Sequence, residues 1–267
     1  MTKIIVAGAT GRMGSRITAL SYEYPELALA GAFERAGHKD IGKDIGAIAG
    51  VGEKGVQLAD AIEIVLDAGD VVIDFTAPQA TVANAAAAAA KGKAMVIGTT
   101  GLEKDQIELI RSAARQIPII FAPNYSVGVN LLLKVLQDVA RVLGDEYDIE
   151  VIEAHHRLKK DAPSGTALKL AQVVAEAVNR DLDEVGVFER KGIIGERKPK
   201  EIGVQTIRGG DIVGEHTVMF CGLGERVEIT HKASSRDTFA RGALRAAQWI
   251  VNQKPGLYDM QDALGLK

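Results

Sequence analysis

The side chains best suited to chemistry lie in residues 150–167, which hold two adjacent histidines, several cations and a Ser-Gly-Thr triplet. His155 and His156 titrate near neutral pH, so each can attract an anion and exchange a proton. Lys159 can supply a proton or hold a carboxylate. Residues 164–166 open a predicted helix, whose first backbone N–H groups form a cradle for a carboxylate. The segment therefore predicts an acid/base site for an anionic substrate.

The other polar residues of this segment have simpler interpretations. Asp161 is interpreted as a residue that caps or orients the turn, and Glu153 as the partner of a cation. Arg157 and Lys160 are interpreted as solvated surface charges. The adjacent histidines lack carboxylate or thiolate partners at the spacing of metal ligands, so no metal site is predicted.

A glycine-rich turn near the N-terminus predicts a dinucleotide site. Residues 8–14 read Gly-Ala-Thr-Gly-Arg-Met-Gly between a predicted strand and a predicted helix, where backbone N–H groups can meet a pyrophosphate. Glu34 closes the next strand, at the position of an acid that binds a ribose. The alternative is a glycine-rich turn without a ligand. Arg35 is either a partner for a 2′-phosphate or an ordinary solvated arginine.

Two more small, polar turns follow predicted strands at residues 98–101 and 122–125. In doubly wound sheets, ligands bind outside the carboxyl ends of the strands. Both turns are therefore candidates for the surface that the nicotinamide ribose approaches.

These turns need a sheet to hold them, and the first part of the chain predicts one. Apolar runs predict strands at residues 3–7, 27–34, 70–76, 94–98 and 118–122. Helical periodicity between them predicts helices at residues 12–22, 79–91 and 103–116. This alternation predicts an α/β fold with a Rossmann-type, doubly wound parallel sheet.

The pattern changes after residue 126 and predicts a second, smaller α+β domain with a mixed or antiparallel sheet. Its predicted helices cover residues 127–143 and 164–178, and its predicted strands end near Ala154 or cover residues 204–208, 216–220 and 226–231. A last helix, 237–252, is expected to return to the first domain. The expected domains are thus 1–126 with 237–267, and 127–236.

Composition restricts the partners. The 267 residues carry a formal net charge of -3 and only 4% aromatic residues, which argues against nucleic-acid binding. No apolar run reaches the length of a membrane span, and the N-terminus does not have the form of a signal peptide. The single cysteine, Cys221, is typical of a protein in a reducing compartment, so a cytoplasmic location is expected.

Residues 150–167 also resemble the signature of a known family, Glu-(Ile/Val)-x-Glu-x-His-x-x-x-Lys-x-Asp-x-Pro-Ser-Gly-Thr-Ala, at every fixed position. This family is 4-hydroxy-tetrahydrodipicolinate reductase, also called dihydrodipicolinate reductase, of the diaminopimelate route to lysine. The resemblance extends over nearly the whole chain, including residues 8–14, 98–101, 124–128 and 235–240. Tyr125 departs from a phenylalanine that is common in the family, and Leu158 stands where another histidine can occur.

The resemblance implies an oxidoreductase that uses NADH, NADPH or both to reduce 4-hydroxy-tetrahydrodipicolinate, a small cyclic dicarboxylate, to tetrahydrodipicolinate with loss of water. It implies a homotetramer built by the second domain, which also binds the substrate and closes over it. It assigns catalysis to His155 and Lys159, and substrate binding to His156, Ser164, Gly165 and Thr166. It assigns cofactor binding to the first domain, at Gly8, Ala9, Thr10, Gly11, Arg12, Met13, Glu34, Gly98, Thr99, Thr100, Ala122, Pro123, Asn124 and Tyr125; Arg35 joins this set on its own argument above.

Other dinucleotide-dependent functions fit the sequence less well than the reductase. An aldehyde dehydrogenase would need Cys221 on an exposed turn, whereas its apolar neighbours predict burial. A short-chain dehydrogenase needs Tyr-x-x-x-Lys, and no tyrosine of this sequence is followed by lysine at that spacing. A non-catalytic redox sensor that binds a dinucleotide remains the alternative, although a sensor does not need the His, Lys and Ser-Gly-Thr cluster.

Overall fold

A computed structural model describes residues 1–267. The chain forms two compact units, of which unit 1 comprises Met1–Val127 with Asp237–Lys267 and unit 2 comprises Gly128–Arg236. No helix has both the length and the apolar character needed to span a membrane.

The strands and helices are numbered along the chain. The strands are β1 (Thr2–Ala7), β2 (Leu27–Phe33), β3 (Leu58–Ala59), β4 (Val71–Asp74), β5 (Ala94–Ile97), β6 (Pro118–Phe121), β7 (Asp148–His155), β8 (Gly186–Val187), β9 (Ile202–Arg208), β10 (Gly214–Cys221), β11 (Arg226–Ala233) and β12 (Gly256–Tyr258). The helices are α1 (Arg12–Ser21), α2 (Ile45–Ile48), α3 (Ile62–Val65), α4 (Pro78–Ala90), α5 (Lys104–Ala114), α6 (Val127–Leu143), α7 (Gly165–Ala177), α8 (Leu182–Val185), α9 (Asp237–Ile250) and α10 (Met260–Leu264).

Unit 1 is built on a sheet of seven strands in the order β12-β6-β5-β4-β1-β2-β3. Every pairing is parallel. Because successive side chains of a strand face opposite sides, Ile4 and Val6 join a core with α1, α9 and α10, whereas Ile5 and Ala7 join a core with α3, α4 and α5. Helices therefore cover both faces, which confirms the predicted Rossmann-type sheet.

Unit 2 is built on a five-stranded sheet in the order β11-β10-β7-β9-β8. β10 runs antiparallel to β11 and β7, while β7, β9 and β8 are parallel, so the sheet is mixed as predicted. Its core lies between one face of the sheet and the helices α6 and α7. Ile149 and Val151 of β7 and Val218 and Phe220 of β10 belong to this core.

Candidate active site

The turn between β1 and α1 depends on glycine at its close contacts. Gly8 has a φ of +60°, which is readily adopted only by glycine. A Cβ on Gly14 would lie 2.2 Å from the Gly8 carbonyl oxygen, so α1 packs directly against the turn. Gly11 is the N-cap of α1 and supplies no side-chain cap. The positive end of this helix is thus available to an anion.

Glu34, directly after β2, is held beside the glycine turn. Its carboxylate accepts hydrogen bonds from the Thr10 hydroxyl at 2.8 Å and from the Arg35 N–H at 3.1 Å. The Nε2 atom of His38 lies 3.4 Å from the same hydroxyl. Uncapped helix amides next to a fixed carboxylate fit a dinucleotide, whose pyrophosphate needs donors and whose ribose needs an acceptor. Sequence reasoning missed His38, which carries no motif.

The turns after β4 and β5 are joined through Asp74, whose carboxylate is fully buried. It accepts hydrogen bonds from the hydroxyls of Thr76, Thr81 and Thr99 and from the Asn84 amide. The side chain of Thr99 is therefore committed to this network, and only its backbone is available to a ligand. Thr100 is exposed.

The turn after β6 is held in place by the buried side chain of Tyr125. This side chain is 1% exposed, and its hydroxyl donates to the Ile97 carbonyl at 2.8 Å. Burial raises the pKa of the Tyr125 hydroxyl well above its usual range, so it stays protonated. Pro123 is exposed and Ala122 is buried. The tyrosine thus supports the turn, and its ring lies in the core of unit 1.

The remaining predicted residues of the glycine turn differ in exposure. Ala9 is buried in the core, Met13 is half-buried against it, and Gly11 and Arg12 are exposed. The Asn124 side chain accepts a hydrogen bond from the Ser126 N–H at 2.8 Å, which shapes the turn after β6. The Ala9 N–H donates to the Phe33 carbonyl at 3.3 Å, so this residue ties the glycine turn to β2.

The polar cluster of unit 2 begins with Glu153, which lies on the core-facing side of β7 and is fully buried. Its carboxylate accepts two hydrogen bonds from Arg208, both of 2.8 Å, and one of 3.0 Å from the Ser164 N–H. Its Oε2 atom lies 2.6 Å from His155 Nδ1. Burial alone would raise the pKa of Glu153, but the hydrogen bonds from Arg208, His155 and Ser164 lower it to about 2. Glu153 is therefore ionised at neutral pH.

His155 is the last residue of β7, so the strand extends one residue beyond its predicted end. An ionised carboxylate can only accept hydrogen bonds, so Nδ1 of His155 carries a proton. Nε2 then remains as the atom that can gain or lose one. Burial lowers the pKa of His155, and the positive charges of Lys159 and Arg208 act in the same direction, against the Glu153 carboxylate. In the free protein at neutral pH, the ring is mostly neutral.

Ser164 caps α7 and connects it to the strands. Its hydroxyl accepts from the Ala167 N–H at 3.2 Å and lies 3.1 Å from Nε2 of His216 on β10. Gly165 is exposed, and no atom lies within 4 Å of where its Cβ would be. The start of α7 is thus anchored by Ser164 on its buried side and exposed at Gly165, and Thr166 is half-buried.

The turn between β7 and α7 carries Lys159, whose ammonium group pairs with Asp161 at 2.8 Å. The Lys159 N–H also donates to the His156 carbonyl at 3.1 Å. The His156 ring is half-buried, and its Nδ1 atom is buried without a hydrogen-bond partner in the chain. Arg157 and Lys160 are exposed.

Two members of the cluster come from strands that the sequence did not connect with it. Arg208 ends β9, and His216 lies on β10 directly opposite Glu153. The two rings of His155 and His216 meet edge to face with centroids 5.2 Å apart. Burial, followed by the charge of His155, lowers the pKa of His216 to about 4. The available signal was alternation, since His216 shares the core-facing parity of Val218 and Phe220.

Comparison with known proteins places this chain in a family. Residues 2–125 match the family model described as dihydrodipicolinate reductase, N-terminus, and residues 128–264 match the model of its C-terminus. The chain belongs to the dihydrodipicolinate reductase family. It is 57% identical over 267 residues to the 4-hydroxy-tetrahydrodipicolinate reductase of Syntrophobacter fumaroxidans, with 100% of both chains covered. The corresponding protein of Hahella chejuensis is also 57% identical, again with 100% of both chains covered.

The fold is also similar to that of a solved structure of this family. A dipicolinate-bound dihydrodipicolinate reductase from Paenisporosarcina sp. TG-14 superposes with a TM-score of 0.75 at 24% identity, covering 98% of each chain. Family membership makes this chain an oxidoreductase with a dinucleotide-binding domain, as the sequence predicted. The alternative of a non-catalytic redox sensor is not favoured.

Proposed function

We propose that the chain uses NADH or NADPH to reduce 4-hydroxy-tetrahydrodipicolinate to tetrahydrodipicolinate, with release of water, in the diaminopimelate route to lysine. The observation that carries this proposal is the cluster at the end of β7. There, Nδ1 of His155 is held by Glu153, so Nε2 would exchange the proton, and Lys159 lies in the turn that follows. The N-terminus of α7, where Gly165 is exposed, would supply amides for a substrate carboxylate.

The cofactor would be held by unit 1. The backbone of residues 8–13 would bind the pyrophosphate and Glu34 the adenosine ribose, and the turns at Gly98–Thr100 and Ala122–Tyr125 would carry the nicotinamide ribose. Arg35 is exposed beside Glu34 and would meet a 2′-phosphate, which favours use of both cofactors. When bound, the reduced nicotinamide supplies a hydride.

The residues of unit 2 would manage charge and protons. His156, Ser164, Gly165 and Thr166 would hold the substrate carboxylates, the last two through the amides at the start of α7. A bound dianion favours the protonated form of His155, which then holds a proton at Nε2. Lys159 would donate a proton or stabilise the electron-rich ring as it is reduced. The cofactor would thus be held by residues of unit 1 and the proton donors supplied by residues of unit 2.

The proposal extends to assembly and location. By its family, the chain would form a homotetramer through unit 2. The second face of the unit 2 sheet supports this, because within one chain the residues on that face are only partly buried in β10 and exposed in β11. Cys221, which is not in a disulfide, is compatible with the cytoplasm.

A coupled assay tests the reaction directly. The upstream condensation product is generated in the cuvette, and oxidation of NADH and of NADPH is followed in parallel at the absorbance maximum of the reduced cofactor. Substrate-dependent oxidation supports the reductase. Cofactor binding without turnover contradicts it and returns the sensor as the better explanation.

A further inference from the structure

Glu153 contacts separate parts of the proposed site with one carboxylate. Its Oε2 atom lies 2.6 Å from His155 Nδ1, and its Oε1 atom accepts from the Ser164 N–H at 3.0 Å. His155 is the acid/base group, and Ser164 is the cap of the helix whose amides would hold a carboxylate. The orientation of the proton donor and the position of the carboxylate cradle thus depend on the same side chain.

Arg208 extends this link to the turn that carries Lys159. Its guanidinium group donates two hydrogen bonds to Glu153, both of 2.8 Å, and one of 2.7 Å to the Asp161 carbonyl. The Asp161 carboxylate pairs with Lys159. Through Arg208, Glu153 is therefore connected to the second proposed proton donor as well.

We propose that Glu153, supported by Arg208, is the positioning residue of this active site: it holds His155 with its proton on Nδ1, so that Nε2 is the atom that serves the substrate. This proposal rests on the proposed function, because it takes His155 as the acid/base group. Glu153 itself is buried and does not need to touch the substrate.

The substitution Glu153→Gln keeps the size of the side chain but removes its charge and one of its two acceptor oxygens. Its amide oxygen can still accept from the Ser164 N–H. Its NH₂ group would take the place of Oε2, which faces His155 Nδ1 and also accepts from Arg208 Nη1. The bond from Arg208 Nη1 would be lost, and His155 Nδ1 would have to become an acceptor, so the single proton of the neutral imidazole would move from Nδ1 to Nε2. The ring would remain in place but present the wrong tautomer. We expect kcat to fall by roughly a hundredfold or more, with KM for the substrate changed by less than about threefold.

Glu150→Gln is the matched control. Glu150 lies three residues earlier in β7 and also accepts two hydrogen bonds of 2.8 Å from one arginine, Arg190. It belongs to the opposite face of the strand and contacts no histidine. Loss of a glutamate–arginine pair from β7 is therefore common to both variants, and only Glu153→Gln changes the partner of His155. The control is expected to keep the kcat of the wild type.

The tautomer can be observed without substrate, in protein labelled at the ring nitrogens of histidine. The sequence has five histidines, and the signals of His155 are those absent from His155→Gln. We expect the proton of the neutral ring on Nδ1 in the wild type and in Glu150→Gln, and on Nε2 in Glu153→Gln. A neutral wild-type ring protonated on Nε2 overturns the proposal. Because this measurement uses the wild type, it tests the proposal even if Glu153→Gln does not fold.

The pH profile of kcat/KM gives a second readout that a purely structural role would not move. The titratable and charged groups around His155 are Glu153, Lys159, Arg208 and His216. Of these, only the Glu153 carboxylate favours the protonated ring, so in Glu153→Gln the loss of the acid should shift to lower pH. An unchanged profile with unchanged kcat overturns the proposal. A wild type that does not reduce the substrate contradicts the proposed function instead, and leaves the tautomer result standing.

Discussion

Replacing Gly14 with alanine should change the stability of unit 1 through two opposing effects, helix propensity and steric overlap. Gly14 lies inside α1, where alanine is intrinsically more favourable than glycine by roughly 1 kcal/mol. The added Cβ, however, would lie 2.2 Å from the Gly8 carbonyl oxygen and 2.7 Å from the Ala9 Cα. Because ordinary carbon contacts are about 3.5 Å or longer, α1 would have to move by roughly 1 Å from the turn. Such overpacking typically costs about 1–3 kcal/mol, so we expect net destabilisation of unit 1.

The only tryptophan of the chain, Trp249, allows this to be measured within unit 1. It lies in α9 and packs edge to face on Tyr258, so its fluorescence follows the unfolding of unit 1 in urea. Ser15→Ala, in the same turn of α1, is the control and should change the free energy of unfolding by less than about 0.5 kcal/mol. We also expect Gly14→Ala to bind NADH more weakly, because the displaced amides belong to the cofactor turn. A variant with the stability and NADH affinity of the wild type would refute this reasoning.

Three further predictions concern charge. Arg35→Ala should selectively lower kcat/KM with NADPH and leave that with NADH unchanged; equal losses with both cofactors would make Arg35 an ordinary surface residue. His155→Ala and Lys159→Ala should each lower kcat by roughly a hundredfold or more, while the NADH affinity measured in a binding titration stays the same. Lys160→Ala should keep the kcat of the wild type. His216 has a folded pKa of about 4 against an ordinary 6.5, so the unfolded chain binds more protons between these values. Stability should therefore fall by about 3 kcal/mol as the pH is lowered through that range, and His216→Gln should lose this component in urea titrations.

The sequence predicted the larger elements because their patterns are strong. β1, β4, β5 and β6 are buried on both faces, so each is a continuous apolar run, and each predicted position agrees with the structure to within about two residues. The elements that were not predicted are short, from two to five residues: β3, β8, β12, α2, α3, α8 and α10. Neither periodicity of 2 nor of 3.6 can be recognised over so few positions.

The site was predictable where its residues are contiguous in sequence. His155, His156 and Lys159 lie within one short turn region, and the structure keeps them at the end of β7 and directly after it. Arg208 and His216 are different, because only the register of β9 and β10 against β7 brings them to Glu153. Strand register depends on the whole sheet and cannot be derived from a local pattern.

The two turns of unit 1 that were predicted to meet the nicotinamide ribose, residues 98–101 and 122–125, do follow strand ends. Two of their side chains, however, point into the protein interior. Thr99 binds the buried Asp74, and the Tyr125 hydroxyl binds the Ile97 carbonyl. A turn that bends sharply beside a ligand must also satisfy its own buried polar groups. Polar side chains at such turns can therefore be occupied by hydrogen bonds within the protein. Their presence in the sequence is then poor evidence that they contact a ligand directly.

Two ion pairs of unit 2, Arg208–Glu153 and Lys159–Asp161, differ in a way that favours Lys159 over Arg208 for the role proposed on the substrate. Arg208 pairs with a carboxylate that is fully buried, and separating such a pair leaves an uncompensated charge, which typically costs about 3–5 kcal/mol. Lys159 pairs with Asp161, whose side chain is 63% exposed, and pairs of this kind are worth about 0–1 kcal/mol. A substrate carboxylate or a developing negative charge can therefore replace Asp161 at little cost. The buried Arg208–Glu153 pair holds both side chains in place. The exposed Lys159–Asp161 pair leaves the Lys159 ammonium group available for its proposed role.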